Sequence, residues 1–238
     1  LNKENIKKHW VELSDNQDLN LYNLYKANCN IKESKINIGG DHSLSISTVS
    51  QSLNLYPNMK LIWIDAHPDI NTRESSHSGS MHGMSLSFLT GLDNRKFLFD
   101  IPKTKLKFEN ILYIGIRDID EYEKNIIEKH NIQFIDSKTI NNEPKKSLEK
   151  INNFINGEPI HVSFDVDALD PKFIYSTGTP VNNGLNPNPI KYIIDNLLEK
   201  NIINMDIVEL NLTLGNQEEI NKSINNFKYI FNNYLDFI

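Results

Sequence analysis

Short apolar runs alternate with longer amphipathic stretches along nearly the whole chain. The short runs predict strands at 36–39, 61–65, 111–115, 132–135, 160–165 and 203–208. The longer stretches predict helices at 43–54, 83–91, 119–130, 145–156, 189–200 and 217–234. Runs such as Leu61-Ile62-Trp63-Ile64 lack strict polar alternation, the pattern of strands covered on both faces. Repeated strand–helix units of this kind predict an α/β fold, a three-layer αβα arrangement of mostly parallel sheet with helices on both faces. Ahead of residue 36 the pattern offers only helix-like pieces around 4–12 and 18–28. One domain over 1–238 is therefore expected, lacking part of an N-terminal βα unit.

Composition narrows the classes. A chain of 238 residues is long enough for one α/β domain with a sizeable core. A formal net charge of -6, without a Lys/Arg stripe interleaved with aromatics, argues against nucleic acid as partner. The single cysteine, Cys29, excludes an intrachain disulfide framework and suits a reducing compartment. No apolar stretch approaches a membrane span and no signal-peptide core is visible, so a soluble, cytoplasmic protein with no membrane partner is expected. The Asn-rich tracts, such as Asn141-Asn142 and Asn152-Asn153, read as decoration of loops and helix surfaces.

The chemistry gathers where apolar runs end. Leu61 to Ile64 leads into Asp65-Ala66-His67-Pro68-Asp69, and Ile160 to Phe164 leads into Asp165-Val166-Asp167. Strand alternation would point Asp65 and His67 the same way, and likewise Asp165 and Asp167. An open α/β sheet carries its ligand site at such strand ends. One Asp after a strand is ordinarily a turn residue or a helix cap; two runs of the same character are harder to dismiss. A third segment, Ile36-Asn37-Ile38-Gly39-Gly40-Asp41-His42-Ser43, turns through two glycines and adds His42. Converging carboxylates repel one another unless cations are present. Carboxylate and imidazole donors suit a borderline-to-hard divalent ion such as Mn²⁺, and admit Zn²⁺ and Co²⁺. Six ligands exceed the needs of one catalytic ion but suffice for two, about 3.5 Å apart, if some carboxylates bridge. Such a pair would hold a hydroxide near neutral pH and direct it at an electrophilic carbon or phosphorus. Spacing alone does not choose between them.

Between the ligand runs, residues 71–83 form a small, hydroxyl-rich stretch suited to hydrogen-bonding a polar substrate. His82, ahead of Gly83, is placed to move protons at neutral pH. Arg117-Asp118-Ile119-Asp120-Glu121-Tyr122-Glu123 follows another strand and offers acids to a cationic group, although Asp118 could simply cap the next helix. Met205-Asp206-Ile207-Val208-Glu209 ends a strand in an acid that could face a guanidinium or ammonium.

Gly39-Gly40-Asp41-His42-Ser43, Asp65-Ala66-His67-Pro68-Asp69-Ile70-Asn71 and Ser163-Phe164-Asp165-Val166-Asp167-Ala168-Leu169-Asp170-Pro171 resemble the three metal-binding signatures of the ureohydrolase family, most closely its arginase branch. The resemblance runs from about Ile36 to Phe227 and identifies 1–238 as a single ureohydrolase domain. It implies two Mn²⁺ per subunit. His42 and Asp69, with bridging Asp65 and Asp165, would bind one ion; His67 and Asp167, with the same bridges, would bind the other. It further implies that His82 shuttles protons, that Asp69 orients the hydroxide and that Glu209 pairs with the substrate guanidinium. Asn71, Ser76 and Ser78 match positions that recognise an amino-acid carboxylate, Asp120 and Glu123 match positions near the α-amino group, and Thr179 joins the substrate contacts. Two departures concern assembly: the family's glycine-rich N-terminal strand-and-loop segment is not visible, and the chain stops at Ile238 without the long tail many arginases carry.

The activity so implied is hydrolysis of L-arginine to L-ornithine and urea, by attack of a metal-bridging hydroxide on the guanidinium carbon, in a homotrimer. A sister amidinohydrolase acting on agmatine or another guanidino compound is the alternative. The hydroxyl- and amide-rich 71–83 stretch favours arginine, because agmatine has no carboxylate to bind there. A non-catalytic sensor with a vestigial site is disfavoured, since all six ligand candidates, His82 and Glu209 are present.

Overall fold

The computed structural model describes residues 7–97 and 103–231. Six strands form one wholly parallel sheet: β1 (Lys35–Ile38), β2 (Lys60–Ile64), β3 (Ile111–Ile114), β4 (Gln133–Ile135), β5 (Ile160–Asp165) and β6 (Ile202–Val208). Their order across the sheet is β1-β6-β5-β2-β3-β4. The chain starts at one edge, crosses to β2, steps outward to β4, and returns to fill the middle with β5 and β6. The strands whose ends carry the ligand motifs are thereby brought side by side.

Eight helices accompany the sheet among the described residues: α1 (Gln17–Asn30), α2 (Ser45–Leu55), α3 (Ser85–Thr90), α4 (Glu121–His130), α5 (Ser137–Asn142), α6 (Pro144–Ile155), α7 (Pro187–Leu198) and α8 (Gln217–Phe231). Strand alternation sorts them into two layers. Leu61 and Trp63 of β2 pack with Val49, Leu53, Leu86, Leu89, Ile126 and Ile127 from α2, α3 and α4. Ile62 and Ile64 face the opposite way, into a cluster with Ile140, Leu148, Ile151, Ile190, Ile194 and Phe227 from α5 to α8. The result is the expected three-layer αβα fold.

All six expected strands form, within a residue or two of their expected bounds. The helix boundaries move for local reasons. The helix expected from 119 begins at Glu121 because Asp120 caps it, in a box in which the Glu123 side chain bonds back to the Asp120 backbone. It is therefore Asp120, rather than Asp118, that caps this helix. The sequence pattern did not separate α5. It is capped by Asp136, whose carboxylate accepts the Thr139 N–H at 2.7 Å, and Pro144 restarts the chain as α6. The helix-like piece at 18–28 is α1, but 7–12 carries no regular structure; Trp10 and Leu13 are 89% and 78% exposed, so these large apolar side chains give a helix there no packing support. Residues 4–6 of that piece, and 232–234 of the last expected helix, lie outside the described residues.

The α1–α4 layer is not uniformly apolar. Below β5, β6 and β1 the buried strand residues are His161, Ser163, Asn204, Asp206 and the half-buried Asn37, and α2 meets them with Ser45, Thr48 and Ser52. The opposite layer shows what an apolar interface contributes. Phe164 of β5 is fully buried and meets Phe231 edge-on at 5.1 Å between centroids. Phe164→Ala is expected to destabilise the fold by about 3–5 kcal/mol through lost transfer energy and a cavity. Urea unfolding should then show a lower midpoint at unchanged slope.

Candidate metal centre

Three turns of one design deliver the acidic and imidazole side chains. After β1, the Asp41 carboxylate accepts the Ser43 N–H at 2.9 Å; after β2, Asp65 accepts the His67 N–H at 2.7 Å; at the end of β5, Asp165 accepts the Asp167 N–H at 2.8 Å. Each is an aspartate bonding its own backbone two residues on. This corrects the expectation from strand alternation: β2 ends at Ile64 and β5 at Asp165, so turn geometry rather than pleat aims His67 and Asp167. In Asp165 Oδ1 fixes the turn while Oδ2 faces the centre; in Asp65 Oδ2 faces the centre and the turn-fixing Oδ1 also lies beside His67.

The side chains converge tightly. His42 Nδ1 lies 3.0 Å from Asp65 Oδ2, 3.1 Å from Asp69 Oδ2 and 3.2 Å from Asp165 Oδ2. His67 Nδ1 lies 3.1 Å from Asp167 Oδ2 and 3.4 Å from Asp65 Oδ1. Asp65 thus belongs to two groups able to hold an ion, one with His42 and Asp69 and the other with His67 and Asp167. His42, Asp65, Asp69, Asp165 and Asp167 are buried, while His67 remains partly open. His42 Nδ1 is buried without a hydrogen-bond partner although three carboxylate oxygens surround it. Close contact without hydrogen-bond direction is the arrangement of atoms that share a cation, so the residues present fit a metal site.

The electrostatics agree. Burial, with the charge of Asp65, pushes the Asp69 carboxyl up to about 7. Burial and the charges of Asp167 and Asp65 hold Asp165 well above the carboxylate range, and burial together with Asp65 raises Asp167. Burial would lower the His67 imidazole, but its hydrogen bonds to Asp167 and Asp65 outweigh that and push it up to about 12. Without cations, the cluster holds protons in their place.

Asp69 and Glu209 stand in the left-handed region, with φ of 50° and 64°. That backbone is costly for either residue. Glu209 is held there by its N–H to Gly40 O at 2.9 Å, and its Oε1 accepts the His42 N–H at 2.8 Å. His82 Nδ1 sits 3.5 Å from the same oxygen and 3.6 Å from Asp41 Oδ2. Its hydrogen bond to Glu209 raises the imidazole above its ordinary value, against the opposing effect of partial burial.

The expected substrate residues divide. Asn71 donates to Asp120 Oδ2 at 2.8 Å and accepts from Ser75 Oγ at 2.8 Å, so two of them are joined directly. Ser76 and Ser78 lie on an adjoining turn, their hydroxyls accepting the Gly79 and Ser80 N–H groups at 3.0 and 3.1 Å. Thr179 donates to Asp167 Oδ2 at 3.0 Å and so supports a ligand candidate. Glu123, expected near an α-amino group, bonds the backbone beside Asn71 and Asp120. It is buried, and its two oxygens accept the Ile70 and Asp120 N–H groups at 3.1 and 3.0 Å, so it braces the turn carrying Asp69 and Asn71.

Sequence reasoning missed three supports. The Trp63 indole N–H donates to Asp65 Oδ2 at 3.0 Å, and its ring stacks on His42 at 4.0 Å and 6°. Ser163 Oγ lies 2.8 Å from His42 Nε2. Arg117 donates to the carbonyls of Gly115, Asp167, Ala168, Val181 and Asn182, tying the end of β3 to the loop after β5. Only period-2 spacing, placing Trp63 with Asp65 and Ser163 with Asp165, hinted at the first two.

Residues 5–226 match the model of the arginase family. An arginase of Plasmodium falciparum is 41% identical over 214 residues, covering 86% of this chain and 51% of that protein. An arginase of Saccharomyces cerevisiae is 40% identical over 196 residues, covering 76% of this chain and 57% of that one. The chain thus spans about half the length of the curated relatives it matches. Among solved structures, Entamoeba histolytica arginase in complex with L-ornithine superposes with a TM-score of 0.81 at 31% identity, over 90% of this chain and 76% of that one. Bacillus subtilis arginase gives 0.82 at 26% identity, over 92% and 81%. With the family model matched over most of its length and its fold shared with arginases of known structure, the chain belongs to the arginase family.

Proposed function

We propose that this chain carries the active centre of an arginase, hydrolysing L-arginine to L-ornithine and urea with two Mn²⁺ per subunit. The observation that carries this reading is Asp65, whose two carboxylate oxygens face two different histidines, each backed by a further carboxylate. His42, Asp65, Asp69 and Asp165 would hold one ion; His67, Asp167 and the same bridging Asp65 and Asp165 would hold the other. All-oxygen and imidazole donors favour Mn²⁺ over thiolate-seeking metals. When bound, such a pair makes water nucleophilic near neutral pH and stabilises developing negative charge.

The chain's own residues do the rest. Glu209, reaching in beside His42, pairs with the guanidinium and holds its carbon before Asp69. Asp69 orients the attacking water and takes up its proton. The carbon–nitrogen bond to the side chain then breaks, and the departing nitrogen needs that proton to leave as an amine. His82, more than a third exposed and 3.5 Å from Glu209, carries it between the site and solvent. Asn71 and Asp120, already joined, set the rim where the amino-acid head group docks, and Ser76 and Ser78 present hydroxyls to its carboxylate. The L-ornithine held by the Entamoeba histolytica relative supports an amino-acid ligand here.

Urea release from L-arginine and agmatine, measured side by side after Mn²⁺ loading, tests the reading. Arginine should be the better substrate; a preference for agmatine, or no urea from either, would sink it. Ser78→Ala should lower kcat/KM for arginine by about tenfold to a hundredfold, the loss of a hydrogen bond to a charged group of about 1.5–3 kcal/mol. Agmatine turnover should hardly change.

Proton release tests the ligands. A metal-bound imidazole has lost the proton that His67, pushed up to about 12, keeps in the free chain. Mn²⁺ affinity should therefore rise with pH, about tenfold per unit for each proton displaced. Calorimetry in two buffers of different ionisation heat at pH 7.5 should register at least one proton released. Uptake of the ions with no proton release would remove His67 from the ligand set.

A further inference from the structure

The polar half of the α1–α4 layer contains a hydrogen-bond chain that ends on His42. Asp206 in β6 is fully buried and accepts four bonds: Ser45 Oγ at 2.8 Å, Thr48 Oγ1 at 2.6 Å and His161 Nε2 at 3.0 Å on Oδ2, and Asn37 Nδ2 at 2.8 Å on Oδ1. Burial alone would raise its carboxyl, but the charge and hydrogen bond of His161, with Thr48 and Ser45, keep it below the ordinary value. Asp206 therefore acts only as an acceptor. Ser45 Oγ is also 3.0 Å from Ser163 Oγ, which is 2.8 Å from His42 Nε2.

A hydroxyl has one proton to give, and this sets the direction of every link. Ser45 must spend its proton on Asp206, because two acceptors 2.8 Å apart would repel. Ser163 must then donate to Ser45, leaving its own oxygen as acceptor. His42 Nε2 can meet that oxygen only as N–H, so when the ring gives up a proton to a metal it must be the one on Nδ1, the atom facing Asp65, Asp69 and Asp165. Stacking on Trp63 fixes the ring plane but is indifferent to where the proton sits. The serine chain supplies that missing information.

We propose that Ser45 and Asp206 are positioning residues of the metal centre, holding the His42 proton on Nε2 through Ser163 and so presenting Nδ1 to the ion. The inference rests on the two-ion reading above. Neither side chain touches a ligand candidate, although the Ser45 backbone N–H meets the His42 carbonyl; both side chains act through Ser163. Partners behind a ligating histidine commonly govern metal affinity by about ten- to a hundredfold.

Ser45→Ala is the decisive variant, since a small buried hydroxyl at the first turn of α2 can be removed with helix propensity kept. Mn²⁺ titration of the whole chain, followed by the electron paramagnetic resonance of free Mn²⁺, should show one of two ions bound about tenfold more weakly and the other unchanged. The metal-free melting temperature should stay close to that of the parent. In the Ser45→Ala/Ser163→Ala double variant the loss should equal that of Ser163→Ala alone, because Ser45 acts only through Ser163. A merely structural Ser45 would lower the metal-free melting temperature, leave both affinities intact, and overturn the proposal. Losses that add in the double variant would also overturn it. A parent chain that binds no Mn²⁺ would bring down the two-ion reading and this proposal with it, whereas an unaffected Ser45→Ala in a parent that binds two ions removes this proposal alone.

Discussion

Like charge concentrated in a buried space is the constraint on which the rest of this molecule depends. Asp65, Asp69, Asp165 and Asp167 are almost wholly removed from solvent, with the ligand-type atoms of each Asp/His group within 4.8 Å of one another. At an effective dielectric constant near 20, two unit charges about 4 Å apart repel by about 4 kcal/mol. Several such pairs together rival the net stability of a domain, about 5–15 kcal/mol. The cluster answers this with protons, visible in the raised carboxyls and imidazoles, or with cations. A site that must choose between protons and cations is poised for metal chemistry, and its affinity for ions is tied to pH.

Holding such a site open requires a frame that does not relax around it. A parallel sheet supplies one, because its strand ends are fixed by neighbours on both sides and by helices above and below. β5 and β6 lie inside the sheet with a paired strand on each side, so Asp165 and Glu209 emerge from strands held on both flanks. The left-handed backbones of Asp69 and Glu209 persist because surrounding bonds over-determine them: Glu209 to Gly40 and His42, and the turn before Asn71 to buried Glu123. Arg117 extends the frame by joining the β3 end to the loop that follows Asp167.

Beneath the site, buried polar side chains replace part of the apolar core. Such a network is favourable only when every donor and acceptor is matched. Asp206 meets this condition with four donors, and His161 is held between Asp206 and Ser52. The same saturation gives the network a direction, running from Asp206 through Ser45 and Ser163 to His42.

The sequence by itself determined the layers and where the acidic and imidazole side chains gather. Strands such as Leu61–Ile64 and Ile111–Ile114 read as unbroken apolar runs because both faces are covered, and the remaining strands were legible as shorter or mixed runs, and with them the parallel three-layer class. Asp65-Ala66-His67 and Asp165-Val166-Asp167 were legible as ligand candidates because local turns place them, through bonds spanning two residues. Other features belonged to tertiary structure alone. Residues 7–12 looked helical yet carry no regular structure, with Trp10 left in solvent, and Glu123 is braced by the Ile70 N–H, 53 positions away. The link from Ser163 to His42 joins positions 121 apart, and that from Ser45 to Asp206 joins positions 161 apart. Periodicity records which face of an element is covered, but not which residue of a distant element covers it; only the folded sheet, by choosing β6 and β5 as neighbours and laying α2 across them, decided that.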